Sequence, residues 1–290
     1  MATLKDIAQR AGVTATTVSR VINNRGYISE GTRKKVYAAM EEMHYQPNEL
    51  ARAFSKQYTN TIGLIVPHIS HPFFIKVISN LESSAAEKGF KLLLCNSKEQ
   101  PEKEQDYLDM CISNRVAGIV LCSKYVQTRE FRKMNIPVVN LERGGDDDMI
   151  SVQCDNYQGG KLAAEHLIEC GCKNLLHFGG VAGKDMPADR RADGFSDVCK
   201  KAGIPYRILV SDRLQYGSMH YEDFIRRALQ EFPDVDGIFA SSDLIASQVI
   251  QVGAQMDKHV PEDIQLVGFD DVMISTVTTP QITTIHQPGE

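Results

Sequence analysis

Apolar residues recur at helical spacing through the first 22 positions of the chain, in two stripes. The stripes are Leu4, Ile7, Ala8 and Ala11, and then Val18, Val21 and Ile22. This spacing predicts two short amphipathic helices. Gly12 ends the first, Val13 points inward, and Thr14 is placed to cap the second. Two such helices around a glycine-centred turn, followed by a basic third helix, are typical of a module that places one helix in a DNA groove.

The outer face of the second helix is short and mostly polar. Its members are Ala15, Thr16, Ser19, Arg20 and Asn23. The N-terminus of a helix favours phosphate, and Arg20 is the side chain of this face that can make a bidentate bond to guanine. The alternative is a small three-helix bundle that is merely exposed, and the pattern of these helices leaves that alternative open.

Charge is segregated along the chain. The net charge of the whole chain is -5, yet residues 1–60 hold nine Lys or Arg against five Asp or Glu, which makes +4 there and leaves -9 for the rest. A basic segment on an acidic protein indicates an electrostatic contact with phosphate. The expected phosphate contacts are Arg33, Lys34, Lys35, Arg52 and Lys56. A solvated helix face is the alternative for Lys34 and Lys35, whereas for Arg33 we favour phosphate contact.

A short segment separates the basic module from the rest of the chain. Pro47 ends the third helix and Asn48 is a good N-cap. Residues 49–56 can form about two helical turns, which are too few to be stable alone because helix nucleation is costly. We therefore expect this segment to order only against a partner.

From Thr61 onward, apolar strands alternate with amphipathic helices. The predicted strands lie near residues 61–66, 90–95, 117–122, 136–141, 173–178, 205–210, 236–240 and 264–268. This alternation predicts two doubly wound lobes with parallel sheets, and ligands bind such sheets at the carboxyl ends of the strands. Two facing lobes form a cleft that can close about a hinge.

Polar and aromatic residues follow several of these strands. They are Ser70, His71, Phe73, Phe74, Asp155, Arg191, Ser242, Asp243 and Asp270. Carboxylates, an arginine and aromatic faces together suit a neutral polyol or sugar. Ser242, Asp243 and Asp155 could instead cap helices, and Phe73 or Phe74 could belong to the core.

No segment of the sequence has the pattern of a secreted, membrane or catalytic protein. No secretory apolar region begins the chain, and no apolar run approaches the length of a membrane span. Seven scattered cysteines predict reduced thiols, and Cys170 with Cys172 lacks a second pair at zinc spacing. The GxSxG, GxxxxGK[ST] and HExxH motifs do not occur. We predict a cytoplasmic protein without cofactor, metal or enzymatic activity. A sugar-metabolising enzyme and a secreted solute-binding protein are the alternatives.

An ordered series of motifs covers almost the whole chain. The motifs are DIAQRAGVTATTVSRVIN, TRKKV, YQPNELARAFS, TIGLIVPHISHPFF, AGIVL, DNYQGGKLAAEHLIECG, RRADGF, VGFDD and PQITTIHQP. Together they resemble the LacI/GalR family of bacterial transcription regulators, and this resemblance implies a bacterial, nucleoid-associated protein. The resemblance implies a helix-turn-helix domain at residues 1–46, a hinge helix and linker at 47–60, and a periplasmic-binding-protein-like effector domain at 61–290. The lobes of that domain would span about 61–157 and 158–285.

The resemblance also implies roles for individual residues. In this family the hinge helix pairs with its dimer mate in the minor groove and inserts an apolar wedge, here Phe54, into a base step. The expected DNA-binding residues are Thr3, Thr14, Ala15, Thr16, Thr17, Ser19, Arg20, Asn23, Arg33, Asn48, Ala51, Arg52 and Phe54. Arg191 and Asp270 match the main effector contacts, followed by Asp155 and Phe73; His68, His71 and Ser242 depart from the commoner pattern.

The expected mechanism is linkage between operator and effector. A homodimer would bind a pseudo-palindromic operator, and a sugar-like effector in the cleft would change how the two hinges pair. Either an inducer or a corepressor or phosphoprotein partner would fit, and repression is the commoner outcome in the family. Chains of the family continue beyond TTIHQP with a further helix and strand, so we expect the C-terminal end at Glu290 to be truncated.

Overall fold

The computed structural model describes residues 2–45, 58–123, 136–143, 150–181 and 186–288. The chain divides into two compact units, Met1–Asn60 and Thr61–Glu290. The predicted hinge helix at 49–56, with Asn48, Ala51, Arg52, Phe54 and Lys56, lies outside the described residues.

The first unit contains three helices with defined caps. They are α1 (Leu4–Ala11), α2 (Ala15–Ile22) and α3 (Glu30–Glu42). The Thr3 hydroxyl accepts from the Asp6 amide, and the Asp6 carboxylate accepts from the Thr3 amide. Gly12 ends α1 at a φ of 68°, in the left-handed region that glycine adopts most readily. The predicted helices and the cap at Thr14 are therefore confirmed.

The two predicted stripes form the core of this unit. The buried side chains are Ile7, Ala8, Ala11, Val18, Val21, Val36 and Ala39. They come from all three helices, so the polar face of α2 stays outside. Leu4, Val13 and Ile22 pack against this core from its edge.

The second unit contains two lobes, each built on a parallel sheet. The elements of lobe 1 are β1 (Thr61–Val66), α4 (Pro72–Glu87), β2 (Lys91–Asn96), α5 (Pro101–Ser113), β3 (Gly118–Leu121), β4 (Val138–Leu141) and β5 (Ile150–Val152). Its described strands lie in the order β2-β1-β3-β4-β5. In this lobe the strand β1 pairs with β2 and β3 in parallel, with Leu64 opposite Leu94 and Val120.

Lobe 2 repeats this arrangement. Its elements are α6 (Asn156–Glu169), β6 (Leu175–Val181), a 3-10 turn (Pro187–Asp189), α7 (Arg190–Ala202), β7 (Tyr206–Ser211), α8 (Arg213–Ser218), α9 (Glu222–Glu231), β8 (Gly237–Ala240), α10 (Asp243–Gln255), β9 (Gln265–Asp270), α11 (Met273–Val277) and β10 (Thr283–His286). Its described strands lie in the order β10-β9-β8-β6-β7. The predicted fold class, a helix-turn-helix unit followed by two doubly wound lobes, is confirmed.

All eight predicted strands are present, but β5 and β10 were not predicted. β5 has three residues, all exposed, and β10 has four residues of which none is buried. Strands this short and this exposed lack the apolar run by which a buried strand is recognised. They form only because β4 and β9 present edges with which they can pair.

Two glycines bring α6 and α7 into backbone contact. A Cβ atom on Gly160 would lie 2.0 Å from the carbonyl oxygen of Arg191, and one on Gly194 would lie 2.0 Å from that of Tyr157. Each glycine thus leaves space for the backbone of the other helix. The close crossing sets where the first turn of α7, and with it Arg191, lies relative to the start of α6.

Candidate functional site

The exposed face of α2 presents a few polar side chains. Thr16 and Arg20 are exposed, and no intramolecular bond holds the Arg20 guanidinium among the described residues. The hydroxyls of Thr14 and Thr17 lie 2.9 Å apart, while the Asn23 amide donates to the Ser19 carbonyl at 2.8 Å. Arg20 therefore remains the member of this face best placed to reach a base edge.

Two residues of this surface differ from the sequence-based picture. Ala15 was expected on the outer face, but it is partly buried and packs against the core of the unit. Tyr27, which the sequence reasoning did not single out, is 98% exposed in the loop between α2 and α3. An aromatic residue in a loop gives no periodic signal, so the pattern of stripes could not have found it.

The basic residues at the start of α3 differ in exposure and in hydrogen bonding. Lys34 and Lys35 are exposed. Arg33 is partly buried, and its Nη2 donates to the Asn24 side chain at 2.8 Å. Arg33 thus ties α3 to the loop that follows α2, and phosphate contact by its remaining donors stays a prediction.

A cavity of about 700 Å³, including its open mouth, lies between the two lobes of the second unit. Its walls come from loops at the carboxyl ends of strands and from the helices that follow. Lobe 1 contributes His71, Phe73, Phe74 and Glu142. Lobe 2 contributes Gly179, Gly180, Met186, Ala188, Arg191, Ser211, Tyr216, Tyr221, Ser241, Ser242, Ile245, Asp270 and Gln287.

Arg191 is held at the base of the cavity from three sides. Its Nε donates to Asn156 Oδ1 at 2.7 Å, and its Nη1 donates to the Ser241 carbonyl at 2.5 Å. The guanidinium lies over the Phe269 ring, with 3.5 Å between Cζ and the ring centroid. A ring face attracts a cation, so this contact stabilises the buried charge. The residue is buried although neither hydrogen-bonding partner carries a charge.

Asp270 reaches the cavity from the end of β9. Its φ is 106°, a conformation that non-glycine residues adopt rarely, so the surrounding structure must hold it there. Its Oδ1 accepts from Gln287 Nε2 at 2.6 Å. Burial raises the pKa of Asp270 to about 7, and the nearby Arg191 opposes that rise. A carboxyl group with this pKa can accept or donate a hydrogen bond near neutral pH.

The lobe 1 wall combines an imidazole with two rings. His71 caps α4, and its Nδ1 accepts from the Phe73 amide at 3.3 Å. Burial, with the nearby His68 and Arg191, lowers the pKa of His71 to about 4, so the ring is neutral at pH 7. The Phe73 and Phe74 rings meet edge to face with centroids 5.2 Å apart. This wall offers a neutral polar edge beside an apolar surface.

Six of the nine candidate pocket residues line the cavity. They are His71, Phe73, Phe74, Arg191, Ser242 and Asp270. Asp155 is exposed and caps α6 by accepting from the Gln158 amide at 2.9 Å. Asp243 is fully buried, where its carboxylate accepts from Thr284 Oγ1 at 2.5 Å and from the Val272 amide at 2.9 Å. Asp155 and Asp243 therefore hold local structure, as the capping alternative anticipated for Asp155.

The neighbouring candidates take different places. Ser70 is exposed and does not line the cavity. Ser242 is both the N-cap of α10 and a lining residue, since its hydroxyl accepts from the Ile245 amide at 3.2 Å. Burial raises the pKa of Asp243 to about 6. Two buried carboxyl groups with raised pKa values thus lie on adjoining elements of lobe 2.

Several lining residues were missed by the sequence reasoning. Glu142 directly follows β4, so the rule that strand ends face the cleft could have found it. Gln287 follows β10, which was not recognised as a strand. Tyr216 and Tyr221 lie beyond β7 on and after α8, where no pattern marks them. Tyr216 also meets the His68 ring of lobe 1 edge to face, with centroids 5.6 Å apart, and so joins the two lobes.

Other kinds of site are not evident in the described residues. Among them no group of three or more His, Cys, Asp or Glu side chains is placed to hold a metal ion. None of the described helices is long and apolar enough to cross a membrane. Cys154 borders the site, and burial raises the pKa of its thiol to about 12. This thiol therefore stays protonated at neutral pH.

A helix-turn-helix unit joined to a two-lobed domain with a cavity between its lobes defines a ligand-responsive DNA-binding regulator. Two family descriptions match the chain: "Bacterial regulatory proteins, lacI family" at residues 3–48, and "Periplasmic binding proteins and sugar binding domain of LacI family" at residues 59–289. The chain belongs to the LacI family of bacterial regulatory proteins.

Relatives of the chain carry repressor names. The ribose operon repressor of Halalkalibacterium halodurans is 35% identical over 99% of this chain and 86% of its own length. The transcriptional repressor PurR of Actinobacillus pleuropneumoniae is 36% identical over 99% of this chain and 86% of its own. A solved structure from Alkaliphilus metalliredigens, a periplasmic binding protein/LacI transcriptional regulator complexed with D-xylulofuranose, is 32% identical. It superposes with a TM-score of 0.70 over 80% of this chain and 85% of its own.

Proposed function

We propose that this chain is a bacterial repressor of carbohydrate-utilisation genes whose operator affinity is controlled by an unphosphorylated sugar in the cavity between the lobes. The observation that carries the proposal is that Arg191, Asp270 and Glu142 line one cavity together with the Phe73 and Phe74 rings. Carboxyl groups and a guanidinium bind vicinal hydroxyls, while aromatic faces pack on the apolar face of a sugar ring. The relatives named for ribose and D-xylulofuranose support the same ligand class.

The charges of the cavity favour a neutral ligand over a phosphorylated one. Two acidic side chains, Glu142 and Asp270, line the cavity. Among the described lining residues, Arg191 is the cation. The guanidinium already donates through Nε and Nη1. A dianionic phosphate would be repelled by two carboxyl groups and attracted by a single guanidinium. Sugar hydroxyl groups, by contrast, can donate hydrogen bonds to the acids and accept them from the arginine.

On the DNA side, we propose that a homodimer binds a pseudo-palindromic operator through α2, with Arg20 reading a base edge in the major groove. The exposed polar face of α2 supports this assignment. Phe54 is proposed as the hinge wedge on the strength of the sequence resemblance. The protein would act on the nucleoid in the cytoplasm, and sugar binding would release the operator.

The test begins with the operator, which can be selected from genomic fragments with purified full-length protein. Thermal melting is then recorded with D-ribose, D-xylulose, sucrose, their phosphates where available, and nucleobases, because a ligand raises the melting temperature by mass action. Operator binding is followed by fluorescence anisotropy with and without each hit. A stabilising sugar that weakens operator binding at least tenfold is the expected result.

The control and the contrary outcomes are defined by the same assays. Arg191→Lys should lose the sugar-induced shift, whereas Arg207→Lys, an exposed change on β7, should keep it. A ligand that tightens operator binding would make the protein a corepressor-controlled regulator. A nucleobase or sugar phosphate as the only stabilising ligand would refute the neutral-sugar assignment.

A further inference from the structure

A chain of hydrogen bonds runs from lobe 1 to the arginine of the cavity through a single buried amide. Asn156 Nδ2 donates to Glu142 Oε2 at 3.2 Å, and Asn156 Oδ1 accepts from Arg191 Nε at 2.7 Å. The other carboxylate oxygen, Glu142 Oε1, accepts from the backbone amide of Cys154. Asn156 itself is only 3% exposed. The amide therefore lies directly between an acidic and a basic side chain and bonds to both.

The partners of this amide lie in different lobes. Glu142 follows β4 of lobe 1, at a φ of 48° that turns the chain directly after the strand. Cys154 and Asn156 belong to the segment in which the chain passes from β5 of lobe 1 into α6 of lobe 2. Arg191 is in the first turn of α7. Because Gly160 and Gly194 hold α6 against α7, a shift of Glu142 relative to Asn156 acts on Arg191 over a short and rigid path.

The chemistry allows only one orientation of the amide. The carboxylate of Glu142 can only accept and the guanidinium of Arg191 can only donate, so the NH₂ group must face Glu142 and the oxygen must face Arg191. A flipped amide would place two donors together and two acceptors together. Both partners would then lose a hydrogen bond in a buried setting, where an unmade bond to a charged group is costly.

A neutral partner also preserves the charge of Arg191 for the cavity. Asn156 and the Ser241 carbonyl satisfy two of the guanidinium nitrogens without neutralising it. The guanidinium therefore keeps a positive charge that can act on a ligand in the cavity. A carboxylate at position 156 would compensate the arginine internally and would repel Glu142 at the same time.

We propose that Asn156 is a positioning residue that orients Arg191 for the effector and links it to Glu142, so that occupation of the cavity is coupled to the relative position of the lobes. This inference rests on the proposed function for the identity of the effector. We call the connection between Glu142, Asn156 and Arg191 the amide relay. It predicts that exchanging the acid and the amide between positions 142 and 156 restores the hydrogen bonds that a single change breaks.

The charge swap Glu142→Gln with Asn156→Asp tests the relay. Asn156→Asp alone sets two carboxylates against each other and should weaken binding of D-ribose or D-xylulose at least tenfold. In the double variant, the introduced glutamine can donate to the introduced aspartate, and that aspartate can accept from Arg191 Nε, which restores both hydrogen bonds. Sugar affinity should therefore recover in part, to at least about threefold above that of Asn156→Asp alone. The rest of the loss should remain, because the introduced aspartate still compensates Arg191 and the cavity has lost the Glu142 carboxylate. Such coupling between neighbours is what a double-mutant cycle measures.

A matched control separates the relay from a general effect of charge. Gln158→Glu adds the same negative charge in the first turn of α6, outside the relay, and should leave sugar affinity within about twofold of wild type. Additive losses in the double variant, or an Asn156→Asp variant that binds sugar normally, would overturn the proposal. A relay that serves folding alone would shift the melting temperature of the variants without changing the sugar affinity of the folded protein, and that result would overturn it too.

A second measurement requires no ligand and uses only wild type and the single variant Glu142→Gln. The ¹⁵Nε–H resonance of Arg191 in the wild-type protein should exchange slowly with water, because its proton is held in a buried hydrogen bond. Glu142→Gln, which changes the far end of the relay, should shift that resonance and speed the exchange of its proton. An unchanged resonance in a folded Glu142→Gln variant would refute the relay. Absence of sugar binding by wild type would instead refute the proposed function, and the resonance would still report on the relay.

Discussion

The contact between α6 and α7 makes a strong prediction for Gly160→Ala. The new Cβ would lie 2.0 Å from the carbonyl oxygen of Arg191 and 3.0 Å from its Cα, where ordinary contacts begin near 3.4 Å. The obstacle is backbone, so no side-chain rotation can relieve it. The helices must separate by at least about 1 Å, and the displaced segment carries Arg191 itself.

The expected size follows from known costs of overpacking. Extra methylene groups in a packed core cost about 1–3 kcal/mol when side chains can yield, and we place Gly160→Ala at or above the upper end, about 3 kcal/mol, because backbone must move. For a unit of this size, about 1 kcal/mol lowers the melting temperature by about 2–4 °C, which gives a loss of about 6–12 °C. Sugar affinity should fall more than tenfold, since Arg191 moves with its helix.

The assay is calorimetric melting of the full chain, followed by titration with D-ribose or D-xylulose. Gly217→Ala is the matched control, because its Cβ would meet nothing within 4 Å and the residue lies in α8. Alanine favours a helix over glycine by about 1 kcal/mol, so the control should melt at or slightly above the wild-type temperature. A Gly160→Ala variant that melts within about 2 °C of wild type and binds sugar normally would show that the helix crossing does not set Arg191.

Three further predictions concern the DNA face, the buried acid and the contact between lobes. Arg20→Ala should reduce discrimination between operator and random DNA by about 1–3 kcal/mol in anisotropy titrations while nonspecific binding changes little; an equal loss on both DNAs would remove its base-reading role. Asp270 has a folded-state pKa of about 7 against an ordinary value near 4, so the folded state binds this proton more tightly and loses stability as pH rises through that interval. Asp270→Asn should therefore nearly match wild type at about pH 4 and exceed it by a few kcal/mol at about pH 8 in urea unfolding, and a constant difference across that range would contradict the assignment. Lys76 Nζ of lobe 1 donates to the carbonyl groups of Asp271 and Gln287 in lobe 2 at 3.3 and 3.4 Å. Lys76→Met should loosen this contact and weaken sugar binding about fivefold by titration, with Lys88→Met at the exposed end of the same helix as control; equal affinities for the two variants would assign the contact no role in closure.

The sequence by itself determined the elements that carry their own periodic signal. Apolar stripes and caps predicted α1 and α2, and alternation of apolar strands with helices predicted two parallel-sheet lobes. The strand-end rule favoured nine residues for one cleft. Of these, His71, Phe73, Phe74, Arg191, Ser242 and Asp270 line it, whereas Ser70, Asp155 and Asp243 do not. These inferences work because the periodicity of apolar residues and the direction of a strand are properties of a local segment and do not depend on distant contacts.

Tertiary structure decided the features that depend on distant partners. β5 and β10 exist because neighbouring strands offer edges, and Asp243 turns away from the cavity because Thr284 and the Val272 amide bind its carboxylate. Asp155 forms a helix cap, while its neighbour Asn156 faces inward to Arg191 and Glu142. Adjacent residues at the start of a helix point in different directions, so one can face solvent while the next faces the core. Only the packing of both lobes decides which of Asp155 and Asn156 is buried.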